Sequence, residues 1–117
     1  MRLLLTLLLT FLVAACTPSE DKTKQNPALI NSHELIFVTH NGPATYYTNG
    51  DNQPSGIEYD LATLFVKDYA PEYQIKFLLV NSISEVIPTL LKGKAHIAAA
   101  NLSITHLRQE LVQFSKS

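Results

Sequence analysis

The chain has 117 residues, of which 46% are hydrophobic and 16% charged, and its formal net charge is -1 at pH 7. That balance fits a folded domain and gives no basis for a nucleic-acid partner, which would call for a basic face. Cys16 is the single cysteine, so no intramolecular disulfide can form. The four histidines, His33, His40, His96 and His106, lack the spacing of a metal site, and neither metal nor other cofactor is expected.

In chain order, Met1-Arg2 is a short positive start and Leu3 to Val13 an apolar run broken only by Thr6 and Thr10. The run is too short to span a bilayer as a helix and reads as an export signal. Val13-Ala14-Ala15-Cys16 resembles the bacterial lipobox, in which the cysteine is lipidated and becomes the new N-terminus. Residues 1–15 are therefore expected to be a lipoprotein signal peptide. Acyl chains on Cys16 would hold the protein at the periplasmic side of a membrane. Thr17 stands where an aspartate would signal inner-membrane retention, which favours the outer membrane. Residues 16–32 follow as lipidated cysteine and flexible tether, polar and without hydrophobic period.

Residues 33–117 carry the folded part. HELIFVTH, from His33 to His40, reads as a buried strand, and a Gly/Pro/Asn/Asp loop from Asn41 to Ser55 surrounds Tyr46-Tyr47. Ile57, Leu61, Leu64, Phe65 and Tyr69 fall near helical spacing, and Pro71 ends the helix they predict. Glu58 and Asp60 lie too close in a helix to face each other as a catalytic pair. Asp60 is expected to cap the helix or pin it to the sheet. YQIKFLLV, from Tyr73 to Val80, is the second strand. A helix from about Ser84 to Lys92 follows, with Pro88 in its first turns and Gly93 as its stop. AHIAAAN, from Ala95 to Asn101, reads as the third strand, and Thr105 to Val112 as a last short helix. Strands alternating with helices predict an α/β fold with a three-stranded, mostly parallel sheet and flanking helices.

Arg108 is the leading candidate for function. A guanidinium grips a carboxylate with two parallel bonds, and the turn that delivers it lies beyond the carboxyl ends of the strands, where open α/β sheets bind ligands. The start of a helix would add unpaired N–H groups. Asn101, Ser103 and Thr105 offer polar groups beside it, with helix capping by Ser103 or Thr105 as the competing role. Tyr46 and Tyr47 offer aromatic faces, with loop packing as the competing role.

Gly56-Ile57-Glu58-Tyr59-Asp60-Leu61 resembles the GF-x-x-DL signature of family 3 extracellular solute-binding proteins. Ile87-Pro88-Thr89-Leu90, Gly93, Leu102-Ser103-Ile104-Thr105, Arg108 and Phe114-Ser115 resemble the second signature of that family. The resemblance implies a periplasmic-binding-protein-like lobe in which Arg108 and its neighbours hold an amino-acid-like ligand and an aromatic near Tyr46-Tyr47 stacks on it. Two such lobes close on the ligand in complete members. The expectation is the first part of such a domain, truncated, supplying one side of a site. His96 stands where the family usually carries aspartate, and Ala100 and Asn101 stand where hydroxyls are common, which argues against a standard amino-acid ligand.

Glu34-Leu35, Thr45-Tyr46-Tyr47, Gly56-x-x-Tyr59-x-Leu61-Ala62 and Ala98-Ala99-Ala100 are more similar to peptidoglycan lytic transglycosylases. These join a solute-binding-like domain to a C-terminal lysozyme-like catalytic domain. That resemblance implies a non-catalytic binding part of a cell-wall protein, with a small anionic, amino-acid or peptide-like molecule or a muropeptide as ligand. The alternatives are the substrate-binding component of an amino-acid-type transporter and a fragment without independent function. No residue here is assigned a catalytic role.

Overall fold

The computed structural model describes residues 32–116. The signal segment, Cys16 and nearly all of the tether lie outside that span.

Three parallel strands form the main sheet, in the order β4-β1-β5, with β1 at Glu34–His40, β4 at Gln74–Val80 and β5 at Ile97–Ala98. β1 and β4 are paired along their whole length, from Glu34 opposite Gln74 to His40 opposite Val80. β5 pairs with β1 at two positions, Phe37 with Ile97 and Val38 with Ala98. The strand expected over residues 95–101 is thus much shorter. Its alanines lack the side-chain surface that stabilises a ladder, and Asn101 leaves strand geometry altogether at φ 50°.

β1 serves two cores because alternate side chains of a strand point to opposite faces. Leu35 and Phe37 pack with Ala62, Val66 and Ala99 on one face, while Val38 packs with Val86, Ala95 and Ala100 on the other. Val38 and Val86 are completely buried. Burying one valine so fully contributes about 1.5–3 kcal/mol over leaving it in water.

The first crossover runs through α1, Ile57–Tyr69, as the spacing predicts. The buried face is another matter. Ile57, Leu61, Leu64, Phe65 and Tyr69, which carry the apolar period, are exposed, while Ala62 and Val66 face the sheet. Small side chains let the helix approach the strands, and this sheet covers one side of it. Phe65 and Tyr69 instead stack on each other at 5.7 Å.

The second crossover is a single 3-10 turn, Ile83–Glu85, continued by α2, Val86–Leu91. Pro88 sits in the first turn of α2, where its missing N–H costs least. Gly93 ends the segment in the left-handed region at φ 71°. α3 spans only His106–Gln109, shorter than the helix expected to Val112.

The loop after β1, where the sequence predicts no regular element, holds a small antiparallel hairpin, β2 (Tyr47–Thr48) with β3 (Pro54–Ser55). Asn49 makes its turn: its Oδ1 accepts the N–H groups of Asp51 and Gln53.

Candidate functional site

At the carboxyl ends of β1 and β5, the β1–α1 loop and the β5–α3 turn approach each other. The loop is fixed by Thr45, whose buried hydroxyl donates to the His40 carbonyl at 2.6 Å. Its backbone caps α1: the N–H groups of Glu58 and Tyr59 donate to the Ala44 and Thr45 carbonyls. Gly56 makes this possible at φ 137°, since a Cβ there would lie 2.3 Å from the Thr45 carbonyl oxygen. These two amides at the N-terminus of α1 are therefore occupied by the protein itself.

Glu58 links the two halves of the site. Its Oε1 accepts the Asn101 N–H at 3.0 Å and so secures the left-handed residue that turns the chain out of β5. The role expected of Asp60 belongs to Glu58; Asp60 is exposed, and α1 has no side-chain cap. The reason is register: in a strand–loop–helix junction, the second helical residue points back over the strand ends, and the fourth has turned away.

Beyond Asn101 the chain closes on itself. The Thr105 hydroxyl accepts the Arg108 N–H at 3.3 Å as the N-cap of α3, so the capping role holds. The Arg108 Nη1 donates to the Ser103 carbonyl at 2.8 Å. Arg108 lies in the last part of a four-residue helix and not at its start, so the expected help from helix N–H groups is absent. The guanidinium has five N–H donors, and this bond uses one.

The tyrosines divide. Tyr46 is half-buried in an aromatic cluster with Tyr59 (5.6 Å between ring centres) and Phe77 (5.4 Å), which supports the packing role expected as its alternative. Tyr47 lies on the hairpin, exposed and without a ring partner among the described residues.

Between α2 and the segment from Val112 to Ser115 lies a cavity of about 330 Å³. Its walls include the apolar Ile87, Leu102 and Phe114 and the polar Glu58, His96 and Asn101. Of the expected site residues, the cavity takes in Asn101; Ser103, Thr105 and Arg108 form their own cluster after it. Glu58 and His96 are the members that spacing alone did not identify as functional. Burial lowers the pKa of His96 from its ordinary value of 6.5, which favours the neutral ring.

This arrangement is a periplasmic-binding-protein-like lobe, and the comparisons agree. Residues 35–117 match the model for bacterial extracellular solute-binding proteins, family 3, and the chain belongs to that family. It is 53% identical over 116 residues to membrane-bound lytic murein transglycosylase F of Methylobacillus flagellatus, covering 99% of this chain and 24% of that protein. The transglycosylase F of Nitrosospira multiformis is 38% identical over 76 residues, 64% of this chain and 16% of that one. The chain thus spans about a quarter or less of the length of these relatives.

Among solved structures, an ancestral arginine-binding protein bound to arginine superposes with a TM-score of 0.63 at 25% identity, covering 71% of this chain and 36% of that one. The arginine-bound form of domain 1 from TmArgBP superposes at 0.61 with 22% identity, covering 71% and 64%. These likenesses establish a periplasmic-binding-protein lobe.

Proposed function

We propose that this chain is the ligand-binding, non-catalytic lobe at the N-terminal end of a transglycosylase-F-like cell-wall protein, held by lipid on Cys16 at the periplasmic face of a bacterial outer membrane. The similarity to transglycosylase F along 99% of the chain carries this reading. The ligand is a small molecule with a carboxylate, either an amino acid or the peptide part of a muropeptide. Arg108 is its anchor, using guanidinium donors that the Ser103 carbonyl leaves over. Asn101, Ser103 and Thr105 shape the turn, and Tyr47 offers an exposed aromatic face on the hairpin of the β1–α1 loop.

A second reading, the substrate-binding component of an amino-acid transporter, is favoured by one observation: structural neighbours bind arginine and lysine. An isolated domain 1 with arginine bound supports the idea that one lobe can hold a ligand.

The test is a chemical-shift titration of the 117-residue chain with arginine, lysine and muropeptides, a method suited to weak one-sided binding. Muropeptides should shift the Asn101–Arg108 amides, and Arg108→Gln should weaken that response by roughly tenfold, the size of one lost charged bond. Free amino acids shifting those amides while muropeptides do not would move the assignment to the transporter reading. No response to any of them, or an unchanged response in R108Q, would overturn the site.

A further inference from the structure

His96 comes just before β5 and is tied to β1 twice. Its backbone N–H donates to the Ile36 carbonyl at 2.8 Å, and its ring Nδ1 accepts the Ile36 N–H at 2.9 Å. A side-chain nitrogen therefore stands where a parallel ladder would place a backbone carbonyl. An imidazole nitrogen accepts a hydrogen bond only while it carries no proton. The ring proton must sit on Nε2, and the ring must be neutral.

Regular pairing at this edge is brief, and the apolar side chains it buries are the small ones of Ala95, Ala99 and Ala100. β5 contributes two paired residues, and the Ala99 N–H adds one bond to the Val38 carbonyl at 2.9 Å. The next residues are Ala100 and Asn101, which begin the turn ending at Arg108.

Few titratable groups lie near the ring. Among the described residues lining the cavity, Glu58 of α1 is the other titratable group, and its Oε1 is engaged by the Asn101 N–H. The cavity-facing residues of α2, Ile87 and Leu90, and of the Val112–Ser115 segment carry no charge. On β1 the titratable residues are Glu34, bridged to Lys76 of β4, and His40. Lys94, two positions before His96, is exposed. Burial lowers the pKa of His96.

We propose that His96 is an acid-operated latch on the β1–β5 pair: a proton on Nδ1 sets one N–H against the Ile36 N–H, releases the start of β5 and loosens the Asn101–Arg108 turn behind it. Two donors facing each other across a partly buried contact repel, and the Ile36 amide loses its acceptor. The protein would then hold its site closed at neutral pH and slacken it in acid, whatever the ligand.

Amide hydrogen exchange and histidine ring ¹⁵N shifts of the 117-residue chain, between about pH 7.5 and about pH 5, read this directly. At the upper pH the His96 ring should show an unprotonated Nδ1. Ile36 protection, corrected for the intrinsic pH effect on exchange, should fall by roughly tenfold toward the lower pH, in step with ring protonation. His96→Asn, whose side-chain oxygen accepts without titrating, should keep Ile36 protected throughout. His106→Gln should behave as wild type, since His106 is exposed and contacts Glu110 instead. A flat Ile36 profile in the wild type, or the same fall in H96N, would overturn the latch. So would a ring that takes its proton on Nδ1 while Ile36 stays protected. The ring titration and the Ile36 profile of the wild type decide the matter even if H96N does not fold. No ligand is needed, so failure here is separate from failure of the binding reading.

Discussion

On one flank β1 is zipped to β4 along all seven of its residues; on the other it meets β5 at two. The paired residues of β4 include none of the candidate site, although the aromatic stack of Phe37 on Phe77 at 5.7 Å continues through Tyr59 to Tyr46. The β5 flank leads straight into Asn101 and Arg108 and is secured by side-chain bonds from Glu58 and His96. One flank is held by regular pairing and apolar area. The other combines two paired residues and three small buried alanines, Ala95, Ala99 and Ala100, with a few polar bonds that single changes can remove. Parts that bind and move are drawn from the less stable regions of a fold, and this division follows that rule.

Phe37→Ala should have the largest effect, because Phe37 is nearly fully buried and sits opposite both Phe77 and Ile97. A loss of about 3–5 kcal/mol is expected, enough to unfold a small domain, and urea denaturation followed by circular dichroism would show it. A loss below 1 kcal/mol would mean that β1 is not the shared core strand.

Glu58→Ala acts on the β5 flank alone. It removes the acceptor for the Asn101 N–H and should cost about 0.5–1.5 kcal/mol. Hydrogen exchange should rise at Asn101 and Ala99 while the β1–β4 amides stay protected. Equal loosening on both flanks would contradict the division.

Lys76→Ala tests the β4 flank at its surface. It deletes the bridge to half-buried Glu34, a solvent-accessible pair of the kind for which about 0–1 kcal/mol is typical. Thermal unfolding should shift little, and the shift should shrink in salt.

The parts of the fold legible in the sequence were those governed by local pattern. HELIFVTH and YQIKFLLV are compact β-forming runs, and the helix between them is bounded by Gly56 and Pro71, so those elements fall close to where they were expected. Which face of α1 is buried was not legible, because helical spacing fits both the Ala62–Val66 side and the larger Leu61–Phe65 side. Tertiary contact with the sheet chose the smaller one. The Tyr47–Ser55 hairpin escaped notice because its strands are two residues long, below the reach of any alternation pattern. Thr105 as a cap was readable from local chemistry. Glu58 and His96 were not, since each acts on backbone far away in the chain, His96 at a separation of 60 positions. No spacing rule reports such a bond.

The central place of β1 also has a kinetic consequence. Both of its partners come later in the chain, so during synthesis HELIFVTH is made well before Gln74 and longer still before Ile97. Pairing must wait for two crossovers to close, and such non-local contacts form slowly compared with helices. In that interval an apolar strand with both edges open is available to another copy of itself. Refolding yield should therefore depend on protein concentration far more than the stability of the finished domain does.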